Sequence, residues 1–295
     1  MGYTDFFKFE REPFSNAPND KFYFDSEQHT QALLRLKYSV DSDKGLAVLV
    51  GGVGMGKTTL ARRMLDELAI DKYESSLLVM IHSKVTPDWI LSRICMQLGV
   101  DNPDVSPLKM LKQLYERLMQ IEKEGRKAVV LIDEAQMLNS REVMEEFRGL
   151  LNLEIPGKKL LNIVFFGLPE IDKTLQLDEP LAQRVAFKYT LKPLSADASE
   201  AYINHPLPVA GRQAPPFAVD LFALIHQLTG GVPRLINTIC DNALFEAYLR
   251  HEPKVSARIF RSVAEDLGLI EMRDRAKGAD SDEDIELVFE DLEGK

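Results

Sequence analysis

One short stretch, residues 51–59, constrains the fold of this chain more than any other. Its first eight residues match the pattern G-x-x-x-x-G-K-[ST], it follows an apolar run over Leu46–Val50, and it opens a segment with helical periodicity. A strand that turns into a helix through such a loop is the context in which this pattern binds phosphate groups. The stretch reads Gly51, Gly52, Val53, Gly54, Met55, Gly56, Lys57, Thr58 and Thr59.

The residue types of this loop suit the phosphate groups of a nucleotide together with Mg²⁺. Glycines let backbone N–H groups approach phosphate oxygens closely, and the N-terminus of the following helix adds positive potential. We expect Lys57 to reach the β- and γ-phosphates and the Thr58 hydroxyl to bind Mg²⁺. Residues 51–59 are therefore the predicted phosphate-binding loop for the nucleotide cofactor. The alternative is a glycine-rich turn that binds no ligand, which the complete strand, loop and helix context disfavours.

Two adjacent carboxylates follow the apolar run Ala128–Ile132, where a buried strand is predicted to end. Asp133 is expected to hold Mg²⁺ through water, which makes it the second metal residue beside Thr58. Glu134 is expected to polarise the water that attacks the γ-phosphoryl group. An Asp-Glu pair alone would also suit a helix cap, but together with the phosphate loop it favours catalysis.

Five short apolar runs alternate with amphipathic helical segments before Pro193. Continuous apolar runs are typical of parallel strands that are buried on both faces. The predicted fold class is therefore α/β, a parallel sheet with helices on both faces and a nucleotide-binding layout. The predicted strands are 46–50, 77–82, 128–133, 160–166 and 186–191, and the predicted helices between them are 57–69, 87–98, 107–124 and 141–153.

After Pro193 the strand-like runs stop and short helical segments remain, which predicts a small all-helical domain. Ser195 and Ser256 are its predicted N-caps, and residues 206–216, with four prolines and a glycine, are a predicted loop. The aromatic residues of the N-terminal arm are expected to pack on the α/β domain. The predicted divisions are an arm at 1–25, the α/β domain at 26–193, the helical domain at 194–270 and an acidic tail at 271–295.

Charge is unevenly distributed along the chain, whose net charge is −10. The tail holds ten acidic and four basic residues, so the rest of the chain is nearly balanced, and the tail is expected to be disordered when free. An acidic chain is a poor candidate for coating nucleic acid without specificity. Arg62 and Arg63 form a compact basic pair that could contact DNA. The simpler interpretation is that they belong to a solvated helix face.

Several features together predict a cytoplasmic protein. Cys95 and Cys240 lie in apolar, helix-like stretches, as buried thiols of a reducing compartment do, and no metal-binding cysteine spacing occurs. The N-terminus lacks the basic and apolar regions of a signal peptide, and no run approaches the roughly 20 apolar residues of a membrane span.

These residues resemble the AAA+ family of P-loop NTPases, and most specifically its ExeA/GspA (general secretion pathway protein A) and MshM-like group. The resemblance covers about residues 6–268 and implies that the helical domain is a lid. The stretches that carry it, besides the phosphate loop, are Phe9–Phe14, Phe22–Phe24 with His29 and Ala32-Leu33, Leu131–Gln136, Gly167–Ile171, Gln183–Val185 and Gly231–Asn237.

The resemblance also implies roles for two arginines. Arg184, before the last strand, is where AAA+ proteins place an arginine finger that completes a neighbour's site, which implies an ATP-dependent homo-oligomer. Arg234 matches the sensor-2 arginine that touches the γ-phosphate of its own subunit. Leu168 stands where the group usually has glutamine, so the polar sensor-1 group is missing there and slow or partner-dependent hydrolysis is expected. Asn162, the polar residue of the same apolar run, is predicted to lie at the beginning of the strand.

Three functions remain open from the sequence. The first is an ATPase that drives or switches assembly of a membrane-associated complex in secretion or pilus biogenesis, with an unidentified protein partner. The second is a DNA-associated ATPase of the transposition-helper or initiator type, for which no strongly basic helix is present. The third is a weakly hydrolysing scaffold that binds ATP to hold its shape, which Leu168 favours and Glu134 disfavours.

Overall fold

The parallel sheet predicted from the apolar runs is present in the computed structural model, which describes residues 2–17, 19–212, 214–218 and 220–270. The acidic tail predicted at 271–295 lies outside the described residues. The chain divides into two units. We call residues 27–192 the sheet unit, and we call residues 2–26 together with the described residues from Pro193 onward the helical unit.

The secondary structure elements are numbered along the whole chain. The strands are β1 Leu46–Val50, β2 Tyr73–Val79, β3 Lys127–Asp133, β4 Glu154–Ile155, β5 Lys158–Lys159, β6 Leu161–Gly167 and β7 Val185–Thr190. The helices are α1 Tyr3–Phe7, α2 Glu27–Asp41, α3 Lys57–Glu67, α4 Pro87–Gln97, α5 Pro107–Lys123, α6 Arg141–Leu150, α7 Ile171–Leu175, α8 Glu179–Ala182, α9 Ala196–Asn204, α10 Pro206–Val209, α11 Leu221–Thr229, α12 Pro233–Leu249 and α13 Ala257–Asp266.

The main sheet has the strand order β2-β3-β6-β1-β7, and each neighbouring pair is parallel. The central strands β1 and β6 are buried along their whole length. Helices α4, α5 and α6 pack on one face, while α2 and α3 pack against the strands on the other. The predicted α/β class, with helices on both faces of a parallel sheet, is confirmed.

Strand β2 differs from the prediction, which placed it at 77–82. It is an edge strand whose extent is set by pairing with β3, from Tyr73 opposite Lys127 to Val79 opposite Asp133. Its first residues are only partly buried and include polar side chains, so no apolar run marks the beginning of the strand. Ile81, which the prediction included, lies beyond the strand and is 82% exposed.

A short antiparallel hairpin, β4–β5, was not predicted. Its turn is Pro156-Gly157, and Gly157 has a φ of 81°, a left-handed conformation that glycine adopts readily. The helix predicted at 141–153 ends at Leu150, just before this hairpin.

The helical unit has the N-caps predicted from its serines. The Ser195 Oγ accepts a hydrogen bond from the Ala198 backbone N–H at 3.2 Å, and Ser256 caps α13 in the same way. The predicted loop at 206–216 is wrong in part, because Pro206–Val209 forms the single turn α10. The first turn of a helix needs no backbone donors, so it accommodates prolines.

The N-terminal arm packs within the helical unit, so the expectation that it packs on the α/β domain is wrong. Phe7, Phe9 and Phe14 are buried in the same core as residues of α9 to α13. The Glu10 N–H donates to the Ala210 carbonyl at 2.8 Å. Aromatic residues in the sequence indicate burial but do not indicate which surface will cover them.

We expect Gly231→Ala to destabilise the helical unit strongly. Gly231 has a φ of 72°, and a Cβ there would lie 2.1 Å from the Leu194 carbonyl oxygen. Left-handed strain and this backbone clash together should lower the free energy of unfolding by about 2–4 kcal/mol. Gly230→Ala is the matched control, since Gly230 is also left-handed but a Cβ there meets nothing within 4 Å. Equal shifts of the thermal unfolding midpoint in both variants would contradict the clash.

Candidate active site

The predicted phosphate loop joins the carboxyl end of β1 to the first residue of α3. The Gly51 N–H donates to the Gly167 carbonyl at 3.1 Å, which anchors the loop to the neighbouring strand β6. Gly56 has a φ of 86°, and a Cβ there would lie 3.2 Å from Nε2 of His29, a buried residue of α2. That His29 nitrogen lies 3.3 Å from the Met55 carbonyl oxygen. The loop is thus supported from β6 and from α2.

Lys57 is the first residue of α3 and its side chain turns back over the loop. Nζ donates to the Gly52 carbonyl at 2.9 Å, and the residue is only 6% exposed. The helix N-terminus lies beside it, so backbone N–H groups and the ammonium group create positive potential at one place. This arrangement fits a bound polyphosphate.

Thr58 and Asp133 are brought together by the fold as the sequence predicted for a metal site. Thr58 Oγ1 donates to Asp133 Oδ2 at 2.7 Å, and Asp133 is 1% exposed as the last residue of β3. Burial raises the pKa of the Asp133 carboxyl above its usual range, opposed by hydrogen bonds from Thr58 and from the Glu134 N–H. A hydroxyl and a carboxylate supply the hard oxygen ligands that Mg²⁺ prefers, so these residues fit that ion.

Glu134 follows Asp133 in a left-handed backbone conformation, with a φ of 56° and a ψ of 37°. Such a conformation is uncommon for a residue other than glycine and is found at functional sites. Its Oε2 accepts a hydrogen bond from Nε2 of Gln136, and Oε1 of Gln136 accepts one from the Leu168 N–H. Gln136 was not identified from the sequence as a site residue, although it ends the quoted stretch Leu131–Gln136.

Strand order explains how these groups meet. Strand β6 lies between β1 and β3. Leu168, which follows β6, therefore lies between the phosphate loop and Glu134 at the carboxyl ends of the strands. Asn162 lies near the amino end of β6, at the beginning of the strand, as predicted. It is buried there. Its Oδ1 accepts a hydrogen bond from the Gly45 N–H, and its Nδ2 donates one to the Asp43 carboxylate, at 3.3 Å each. Asn162 therefore cannot orient water beside Glu134.

Arg184 lies at the amino ends of the strands, whereas the phosphate loop of its own chain lies at their carboxyl ends. It precedes β7, whose first residue pairs with the first residue of β1, whereas the loop follows the last residue of β1. Five residues of strand separate the two ends, about 17 Å. The guanidinium donates to Asn152 Oδ1 at 2.6 Å and to the Arg148 carbonyl at 3.1 Å.

Arg234 belongs to the helical unit, where it is exposed in the first turn of α12. The sequence departs from the helical pattern just before it, at Gly230, Gly231 and Val232, and Pro233 begins the helix. The Arg234 backbone carbonyl accepts a hydrogen bond from Thr238 Oγ1 at 2.9 Å.

Comparison with known proteins identifies relatives of both the sequence and the fold. A family model described as an AAA domain matches residues 40–175. General secretion pathway protein A of Aeromonas hydrophila is 39% identical over 256 residues, which cover 86% of this chain and 46% of that protein. Residues 40–175 are thus an AAA domain, and the chain is similar to general secretion pathway protein A. It spans about half the length of this curated relative.

Solved structures with low sequence identity share the AAA+ fold. Cdc6p of Pyrobaculum aerophilum has a TM-score of 0.67 at 18% identity, covering 86% of this chain and 70% of that one. ORC2 of Aeropyrum pernix, solved as ADPNP–ADP complexes, has a TM-score of 0.63 at 15% identity, covering 87% and 71%. The RuvB branch migration motor of Thermotoga maritima has a TM-score of 0.54 at 16% identity, covering 81% and 69%.

Among the residues that the structure describes, no helix has both the length and the apolar composition that a bilayer span needs. The cytoplasmic location stays a prediction.

Proposed function

We propose that this AAA+ protein binds Mg-ATP and hydrolyses it to drive or switch the assembly of a protein complex in secretion or pilus biogenesis. The observation that carries the proposal is the Thr58–Asp133 hydrogen bond of 2.7 Å, which joins the phosphate loop to the strand that ends at Glu134. The relative in Aeromonas hydrophila supports the secretion context through its name. The ADPNP–ADP complexes of ORC2 support a nucleotide ligand for the shared fold.

Each residue of the site has a role in this proposal. Residues 51–59 hold the phosphates, with Lys57 on the β- and γ-phosphate oxygens. Mg²⁺, held by Thr58 directly and Asp133 through water, would neutralise charge on those oxygens when bound. Water attacks the γ-phosphorus, Glu134 accepts its proton, and the bond to the β–γ bridging oxygen breaks to give ADP and inorganic phosphate.

Two arginines complete the proposed site. Arg184 lies about 17 Å along the strands from its own phosphate loop, which is beyond its reach. This distance supports action of Arg184 on a neighbouring subunit. The proposal therefore includes an ATP-dependent homo-oligomer and an unidentified protein partner in a membrane-associated assembly. For Arg234 we propose contact with the γ-phosphate, the role that the family resemblance implies.

The DNA-associated alternative receives little support from the basic pair on α3. Arg63 forms an ion pair with Glu67 at 3.0 Å, so part of the pair's charge is compensated within the helix. Duplex DNA binding that weakens steeply with salt would favour the alternative, because phosphate contacts release counterions. Tight ATP binding with zero turnover would instead favour the scaffold function.

Glu134→Gln is the experiment that tests hydrolysis. The amide has the same shape but cannot accept the water proton, so the single-turnover rate should fall about 10²–10⁴-fold while the Kd for ATP stays unchanged. The matched control is Glu116→Gln, which alters an exposed carboxylate on α5 and should leave the rate unchanged. Hydrolysis at the parental rate by Glu134→Gln would show that another group activates the water.

A further inference from the structure

The carboxamide of Gln136 joins two parts of the candidate site that are distant in sequence. Its Nε2 donates to Glu134 Oε2 at 2.5 Å, and its Oε1 accepts from the Leu168 N–H at 3.0 Å. Gln136 is half-buried in the 3₁₀ turn Ala135–Met137 that follows β3, whereas Leu168 follows β6. This one side chain therefore connects the ends of two adjacent strands.

The orientation of the carboxamide follows from the chemistry of its two partners. A backbone N–H can only donate, so the Gln136 atom that faces Leu168 must be the oxygen. The NH₂ group then faces Glu134, whose ionised carboxylate can only accept. A glutamate at position 136 would offer acceptors to both partners, and a methionine would offer neither a good donor nor a good acceptor.

The surrounding backbone leaves room for this connection and holds the turn that carries it. A Cβ on Gly167 would lie 3.3 Å from Gln136 Oε1 and 3.1 Å from the Ile171 Cβ, so glycine leaves room for the carboxamide. The Met137 N–H donates to the Glu134 carbonyl at 2.9 Å, which closes the turn that carries Gln136. The left-handed backbone of Glu134 directs its side chain within the same turn.

We propose that Gln136 is a positioning residue for the base: it holds Glu134 through Oε2 and so directs the other carboxylate oxygen, Oε1, to the attacking water. The inference rests on the proposed function, in which Glu134 accepts the water proton. It also explains how a chain with Leu168 at the end of β6 can couple that strand to the base. The backbone N–H of residue 168 takes part through Gln136, although its side chain is apolar.

Gln136→Met and Gln136→Ala test this role, with the first keeping most of the side-chain volume. A base without its positioning bond should lower the single-turnover rate of ATP hydrolysis by roughly 10- to 100-fold. The Kd for a fluorescent ATP analogue should stay unchanged, because Gln136 makes none of the phosphate-loop contacts described above, and circular dichroism should show both variants folded. Gln120→Ala is the matched control, since it removes an exposed Gln–Glu hydrogen bond on α5.

A double variant separates action through Glu134 from a general structural role. In the Glu134→Gln background, Gln136→Met should cause no further loss of the residual rate, since there is no base left to position. A further loss there, a weakened ATP affinity in Gln136→Met alone, or a parental rate in Gln136→Met beside a slow Glu134→Gln would overturn the role of Gln136. A parental rate in Glu134→Gln would instead contradict the role of Glu134 as the base in the proposed function.

Discussion

Lys57→Ala is expected to abolish tight nucleotide binding. Lys57 is the cation of the loop 51–59, and its buried Nζ already turns across that loop to the Gly52 carbonyl. Removal of a buried charge that is paired with phosphate should cost about 3 kcal/mol, roughly a 100-fold increase in Kd or more. Fluorescence titration with an ATP analogue measures this change directly.

The control for Lys57→Ala is Lys112→Ala, which removes an exposed ammonium group from α5. It should bind the analogue as the parent does, and circular dichroism should show both variants folded. An unchanged affinity in folded Lys57→Ala would place the nucleotide site elsewhere and so contradict the assignment of the loop.

Arg184→Ala is expected to bind ATP normally but to hydrolyse it about 10³-fold more slowly or worse, as loss of an arginine finger does. Arg184 lies at the end of the sheet opposite its own phosphate loop, so in the proposed oligomer it acts on a neighbouring subunit. Arg141→Ala is the matched control, because Arg141 is an exposed arginine of the same unit that pairs with Glu145.

Mixing two inactive variants tests whether the finger acts between subunits. In a pair of Arg184→Ala and Lys57→Ala chains, the second donates its arginine to the intact loop of the first, so partial activity should return. Light scattering should show ATP-dependent association in parallel. A monomer with full specific activity in saturating Mg-ATP, and no recovery on mixing, would leave Arg184 as a structural residue that bonds Asn152.

The residues that the sequence proposes for this site, and that the fold brings together, are those encoded locally. The loop 51–59 needs only its glycines, its lysine and the flanking strand and helix, and the carboxylates 133–134 need only a buried strand that ends there. Parallel strands then bring Thr58 and Asp133 to one edge of the sheet, because their carboxyl ends meet there. Local pattern and sheet geometry therefore lead to the same four groups, Lys57, Thr58, Asp133 and Glu134.

The parts that the sequence did not predict depend on contacts between distant segments. Gln136 gains its meaning from the Leu168 N–H, which only the pairing of β3 with β6 brings near. The predicted range of β2 was displaced from the observed one, because the extent of an edge strand depends on pairing with its partner rather than on its own apolar residues. The sequence signal for Gln136 is its polar side chain two positions after Glu134, which does not indicate the partner that this side chain bonds.

The arm that packs in the helical unit has a consequence for synthesis on the ribosome. Phe7, Phe9 and Phe14 emerge early, but Phe217, against which Phe14 packs, emerges about 200 residues later. At ordinary elongation rates this is a delay of roughly 10–40 s, while the intervening segment 27–192 has time to fold. During that interval the nascent chain displays unpaired aromatic side chains, which makes the arm a segment that a chaperone would bind before translation ends.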